Sequence, residues 1–250
     1  MEKDCSMIRK QLKHRTIREF KNQPVPEEVM EELLEVARRT ATSNGMQAYS
    51  IIRITDPEQK KVISEISTQE YVARVPELMI FVADQFRNYR IAMEKGTETD
   101  KAGDMDRFMQ GVTDAAIAAQ NLVNAAESLD LGALYMGSIL NDAKKLCEVL
   151  KLPKFTFPVV GIGIGYPNQD PQLKPRFNNR YRVFENEYIV FDDYLKELKE
   201  YDEEMTTYYD LRNANKRVDC FSDQVVAKMM ADIKRRSELG KFILDQGFYF

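Results

Sequence analysis

The run MDRFMQGVTDAAIAAQNLVNAAESL, residues 105–129, most constrains what this chain can become. As one helix it would extend about 37 Å, at 1.5 Å per residue. Ala115, Ala116, Ala118, Ala119, Ala125 and Ala126 leave little of its circumference for solvent-facing charge. A helix apolar on more than one side belongs in the middle of a core or on an interface between subunits. The residues alone leave both readings open, and the two are compatible.

The remaining elements follow from spacing. From Asp4 to Leu12 the apolar Met7, Ile8 and Leu12 recur at helical intervals. PVPEEVMEELLEVARRTA (24–41) reads as a second helix: Pro26 suits a first helical position, Glu27 and Glu28 the positive end of the dipole, and Arg38 and Arg39 the negative end. Val29, Leu33, Leu34, Val36 and Ala37 form its expected buried face. SIIRIT (50–55) and ELMIFVAD (77–84) are of strand composition, with a helical pattern at 57–67 between them. The charged segment 94–104 is expected to be a mobile surface stretch.

GALYMGS (132–138) predicts a short strand entering a turn, and residues 141–151 a helix. TFPVVGIGIGYP (156–167) predicts a continuous apolar strand with both faces covered. NQDPQLKPRF (168–177) is extended and polar, residues 192–213 and 222–238 are expected to be helices, and FILDQGFYF forms a hydrophobic tail. The expectation is a single α+β domain over 1–250, with a helical C-terminal extension from about residue 190.

Charge and composition exclude several classes. With 36 Lys and Arg against 40 Asp and Glu, the formal charge is −4, which is unsuited to general nucleic-acid binding. No apolar run approaches the ~20 residues needed to span a bilayer. The first residues lack a signal-peptide core. Cys5, Cys147 and Cys220 are odd in number and widely spaced, and His14 is the only histidine. Reduced thiols in a cytoplasm and no metal site are the expectations. Serine-hydrolase elbows, zinc-protease pairs and phosphate-binding loops of the Walker type are missing from the sequence, so chemistry is expected to belong to a cofactor. Gly161, Gly163 and Gly165 alternate within a strand and lead into Tyr166-Pro167, where no helix begins. They read as close-packing positions and not as a dinucleotide fingerprint.

Three polar groupings remain. KHRTIREF (13–20) puts four potential cations into six positions, as a solvated helix end or as an anion site. LKPRF sets Lys174 and Arg176 two apart around Pro175, able to face one side. TATSNGMQ offers Thr42, Ser43, Asn44 and Gln47 as uncharged donors and acceptors. Together they describe a ligand with one phosphate and a polar ring system.

HRTIR, TSNGMQ followed by SIIRITD, AAESLDLGALYMGSILN and GIGYPNQDPQLKPRF occur in this order, up to about residue 220. The set resembles the nitroreductase superfamily, in particular its oxygen-insensitive NADPH nitroreductase and flavin reductase branch. That resemblance implies an α-β-α sandwich with a central, mostly antiparallel sheet, in an intertwined homodimer with one FMN at each of two interface sites. It implies His14, Lys174 and Arg176 on the FMN phosphate, Arg15 and Thr16 along the ribityl chain and pyrimidine edge, and Arg18 near N1 and O2. Thr42, Ser43, Asn44 and Gln47 would come from the partner subunit. Gln69 and Tyr71 would bind the pyrimidine edge. Tyr135, Met136, Gly137 and Ser138 would run beneath the ring, with the Gly137 N–H toward N5.

The implied activity is ping-pong hydride transfer from NADPH or NADH to a small oxidant such as a nitroaromatic, a quinone or free flavin. Thr16 replaces the usual serine and keeps its hydroxyl, and Met136 replaces a β-branched residue. Lys216 and Arg217 resemble a loop that grips the NADPH 2′-phosphate, without a clear second basic residue in the last helix. The alternatives are a flavin-dependent dehalogenase or flavin-cleaving relative, and a non-catalytic phosphate- or nucleotide-binding module.

Overall fold

The structure, a computed structural model, describes residues 6–210, 216–217, 219–231 and 236–249. It falls into two compact units, residues 1–169 with 234–250, and residues 170–233.

The first unit is assembled on β4 (Thr156–Gly165), an interior strand of a four-stranded sheet. The order is β1–β2–β4–β3, with β1 at Tyr49–Ile54, β2 at Glu77–Asp84 and β3 at Gly132–Met136. Every pairing is antiparallel. A proline inside such a strand removes a ladder donor. Pro158 is accommodated because the β2–β4 register shifts between Phe81 and Val82, at a bulge.

Period-two alternation divides the strands between two cores. Met79, Phe81, Ile162 and Ile164 pack with Met30, Leu33 and Ala37 of α2 (Glu27–Arg38) and with α5 (Met105–Ser128). Leu78, Ile80, Val82 and Leu134 pack on the opposite side with Ile63 and Ile66 of α3 (Pro57–Ser67) and Leu146 of α6 (Ala143–Val149). This is the expected α-β-α sandwich, with a sheet that is antiparallel throughout. Phe108, Gly111, Asp114, Ala115, Ala118, Ala119, Leu122, Val123 and Ala126 of α5 are buried, so it is a core helix. Its outer side exposes Met109, Thr113, Ala116, Ile117 and Gln120.

The strand glycines are packing positions, as their alternation suggested. A Cβ on Gly163 would lie 2.7 Å from Leu134 Cδ2 and 2.8 Å from Val75 Cγ1. On Gly165 it would lie 2.7 Å from Pro76 and 2.8 Å from Phe20.

Several expectations shift. Segment 94–104 ends in packed structure: Ala102 and Gly103 are buried, and Gly103 O accepts from Tyr249 N at 2.8 Å. The hydrophobic tail is therefore part of the core. After α9 (Leu239–Asp245), Phe248 is 1% exposed and its ring lies 4.7 Å from that of Phe108. The helix anticipated at 141–151 begins at Ala143, after a 3-10 stretch Gly137–Asp142. The first helix is described as α1 (Ser6–Leu12), and α4 (Phe86–Glu94) follows β2 directly.

In the second unit, α7 (Tyr194–Met205) stops well before residue 213. Thr206 and Thr207 turn their hydroxyls onto Glu203 O and Glu204 O, competing with continued helix. The chain then forms β5 (Tyr209–Asp210), paired antiparallel with β6 (Lys216–Arg217). The helix expected over 222–238 is α8 (Phe221–Met230), because Ala231 is extended. Phe177 joins α7 to α8, with ring centroids 4.6 Å from Tyr201 and 4.7 Å from Phe221.

The Gly163→Ala substitution should destabilise the protein by about 1–3 kcal/mol, the usual cost of overpacking a core. A thermal melt superimposable on that of the parent chain would contradict the packing role.

Candidate functional site

The basic segment is tied down at both ends. Lys10 at the end of α1 donates to Ser128 O at 2.7 Å and pairs with Asp130 at 2.8 Å. Beyond it the chain becomes extended. Thr16 bridges Ala133 on the outer edge of β3, and Ile17 N donates to Ala133 O at 3.0 Å. Gly132 permits this approach, since a Cβ there would lie 2.8 Å from Ile17. Phe20 then bridges Pro167 beyond the end of β4. The Gln169 side-chain oxygen accepts from the backbone N–H of Arg18 and of Glu19.

Two side chains of this segment have different commitments. His14 Nδ1 lies 2.5 Å from Glu127 Oε1, with the carboxylate side chain only 11% exposed. That contact orients the ring and leaves Nε2 for a second partner. The Arg18 guanidinium has no ion pair among the described residues. Arg15 and Thr16 line the same extended stretch.

A second cluster forms at the end of β3. Gln69 Oε1 accepts from Ser138 Oγ at 3.0 Å and from the Tyr71 hydroxyl. Asn141 Nδ2 donates to Ser67 O at 3.2 Å, fastening the 3-10 stretch to the end of α3. Between them Met136 is buried, while a Cβ on Gly137 would meet no heavy atom within 4 Å. Tyr135 is directed the other way, its hydroxyl donating to Gln120 at 2.9 Å. Partial burial, and then the Glu127 carboxylate, push its phenol above the ordinary range.

The third group is the loop after α2. Asn44, Gly45 and Gln47 have φ of 51°, 69° and 51°. For a non-glycine residue this left-handed region costs about 1–2 kcal/mol, less for asparagine. Asp114, fully buried on α5, accepts from Ser43 N at 2.8 Å, Ser43 Oγ at 2.9 Å and Ala48 N at 3.0 Å. Hydrogen bonds to a charged group contribute about 1.5–3 kcal/mol each, enough to outweigh that strain. Asn121 Nδ2 adds bonds to Val36 O and Thr40 Oγ1.

Lys174 and Arg176 belong to the second unit. Arg176 Nη1 donates to Lys174 O at 3.0 Å and Pro175 O at 3.1 Å, and Lys174 Nζ lies 5.9 Å from the Tyr208 ring. For Lys216 and Arg217 only the backbone is described, and their side chains lie outside the described residues.

An open Gly137 shelf with an amide-and-hydroxyl cluster beside it suits a planar heterocycle. The Nitroreductase family profile matches residues 12–166, and the Nitroreductase family C-terminal domain matches residues 174–250. The chain belongs to the nitroreductase family. Relatives within that family include a Bacillus subtilis (strain 168) protein named FMN reductase (NADPH), 36% identical over 240 residues and covering 95% of this chain and 96% of the relative. The oxygen-insensitive NADPH nitroreductase of Salmonella typhimurium is 38% identical over 213 residues, 85% of this chain and 86% of its own. Among solved structures, the NfrA1 nitroreductase of B. subtilis superposes with a TM-score of 0.89 at 36% identity, over 97% of this chain and 98% of that one. A NADPH:FMN oxidoreductase from Vibrio harveyi complexed with NAD+ gives 0.86 at 28% identity, over 97% and 98%.

Sequence reasoning missed Gln169, which takes the backbone of Arg18 and Glu19, and four polar residues of α5: Asp114, Gln120, Asn121 and Glu127. The signal of these four was present as polar residues seven apart, 114 with 121 and 120 with 127, within an alanine-rich helix.

Gln69→Leu removes the shared acceptor of Tyr71 and Ser138. It should cost about 1 kcal/mol, the usual net value of such bonds at a half-exposed position. Urea unfolding measures this, and an unchanged midpoint would contradict the cluster.

Proposed function

We infer that this chain is an FMN-dependent NAD(P)H oxidoreductase of the nitroreductase and flavin reductase type. The observation that carries this reading is the open Gly137 shelf beside the Gln69–Tyr71–Ser138 cluster, in a chain that belongs to the nitroreductase family. Bound FMN supplies two-electron chemistry, accepting hydride from a reduced nicotinamide and passing it to an oxidant.

The protein's residues bind and orient. Gly137 presents backbone where a side chain would obstruct a ring. Gln69, Tyr71 and Ser138, already in mutual contact, offer directional hydrogen-bonding groups to the pyrimidine edge. Arg18 brings a fixed guanidinium to the same edge, where reduction places negative charge, and so favours the reduced state. His14, steadied by Glu127, binds the phosphate, with Arg15 and Thr16 along the ribityl chain. Met136 supports the shelf from the buried side, while Tyr135 is held to Gln120 on the opposite face of β3 and contributes through its backbone. Thr42, Ser43, Asn44 and Gln47 reach the FMN of a partner subunit in a homodimer. The exposed Met109, Thr113, Ala116 and Ile117 face of α5 is small and apolar enough to let two copies approach closely.

We assign Lys216 and Arg217 to the 2′-phosphate of NADPH, the reductant named for several relatives. Small nitroaromatics, quinones or free flavin serve as oxidants, since the protein supplies no acid or base that would restrict them. No described helix is long and apolar enough to cross a membrane, and we place the enzyme in the cytoplasm.

Purified protein should be yellow, and NADPH should bleach it under nitrogen faster than NADH does in stopped flow. Colourless protein that takes up no added FMN would favour a phosphate-binding module instead. In flavin-saturated Arg18→Ala the reduction potential should fall by about 30 mV, equivalent to about 1.4 kcal/mol for a two-electron couple. An unchanged potential would reject the role of Arg18.

A further inference from the structure

The loop that carries Thr42, Ser43, Asn44 and Gln47 is exposed at Asn44, Gly45, Met46 and Gln47, and three of those four residues have positive φ. A surface segment in so unusual a backbone state needs a tether. Asp114 supplies it from inside the core. Its Oδ1 accepts from Ser43 N and Ser43 Oγ, and its Oδ2 accepts from Ala48 N, so one carboxylate clamps both ends of residues 44–47.

The helix is shaped for this contact. Gly111 lies one turn before Asp114 on the same face. A Cβ there would sit 3.0 Å from Ala48 O and 3.0 Å from Ala83 Cβ, so the glycine allows α5 to come close enough for the carboxylate to reach. The acid is also the right acceptor. Three donors converge on Asp114, and an ionised carboxylate accepts from all of them, whereas an amide would oppose one donor with its own NH2. A carboxyl group buried in an alanine-rich helix is costly unless hydrogen-bonded, and the donors it meets, Ser43 N, Ser43 Oγ and Ala48 N, belong to this loop.

From this we propose that Asp114 is a positioning residue of the cofactor site: it sets the conformation in which the 42–47 loop grips FMN. The proposal rests on the reading of that loop as part of the FMN site. It carries a consequence for ligand chemistry. The single Ser43 hydroxyl hydrogen is committed to Asp114, so toward a ligand Ser43 offers lone pairs only. Its counterpart is a donor, a ring N–H or a hydroxyl, and not an anionic oxygen.

The test compares FMN dissociation constants, by flavin fluorescence titration, for the full-length parent chain and for Asp114→Asn, Gly111→Ala and Phe157→Leu. Asp114→Asn keeps the shape but sets a donor against the loop. Gly111→Ala pushes loop and helix apart without touching the carboxylate or a ligand-facing side chain, and it decides the matter alone if Asp114→Asn does not fold. Phe157→Leu weakens a core distant in sequence from the loop. Both loop variants should bind FMN about tenfold more weakly, and the visible circular dichroism of flavin in saturated Asp114→Asn should differ from the parent. Phe157→Leu should melt earlier with an unchanged FMN affinity.

Asp114→Asn with the parent's affinity and flavin spectrum overturns the proposal, as does Phe157→Leu weakening FMN equally. A parent chain that binds no FMN removes the site reading and the proposal together. A parent that binds, with loop variants that bind equally well, removes the proposal alone.

Discussion

Burial of α5 against the sheet is the constraint on which the rest of the structure depends. A helix with so much of its surface inside the protein can carry polar side chains only where each finds partners. The partners it finds lie on four separate segments of the chain. Asp114 takes the loop after α2, Asn121 the end of α2, Gln120 the Tyr135 hydroxyl of β3, and Glu127 the ring of His14. One rigid element thus sets the relative positions of groups far apart in sequence. Side chains held by a buried helix are more exactly placed than side chains on free loops.

This arrangement suits chemistry that belongs to a cofactor. The work left to the protein is binding and orientation. The Tyr71 and Ser138 hydroxyls both donate to Gln69 Oε1, which orients the three side chains, and fixed dipoles cost no reorganisation during reaction. Arg18 differs from most of the chain's arginines near carboxylates, such as Arg53 with Glu27 and Glu77, in having no ion pair among the described residues. A guanidinium without a carboxylate partner among the described residues keeps its planar donor fork available for an anionic or electron-rich group.

Much of this was legible in the residues. The apolar run of β4 and its alternating glycines pointed to a covered, close-packed strand, and the long α5 to a core or an interface; the described structure shows the core packing. The ordered motifs from His14 to Arg176 named the family before any geometry was known. What escaped sequence reading involved long-range partners. The hydrophobic tail gave no local sign that Tyr249 would pair with Gly103 or that Phe248 would fill a core with Phe108. Segment 94–104 looked mobile because its charges dominate its composition, while the burial of Ala102 and Gly103 depends on residues nearly 150 positions away. The helix end at Met230 was overrun because charged residues follow it in the sequence, and the end at Met205 because the back-bonding of the Thr206 and Thr207 hydroxyls was not anticipated. Asp114 was overlooked for a related reason: in a run of alanines it reads as a solvent-facing position, and only the packed structure puts it inside.

The most direct test of this account is a crystal structure of the protein grown with riboflavin 5′-phosphate. The account predicts the isoalloxazine ring on the Gly137 backbone, its pyrimidine edge at Gln69 and Arg18, and its phosphate against the face of His14 turned away from Glu127. Flavin density lodged away from Gly137, or a phosphate that leaves His14 untouched, would contradict it.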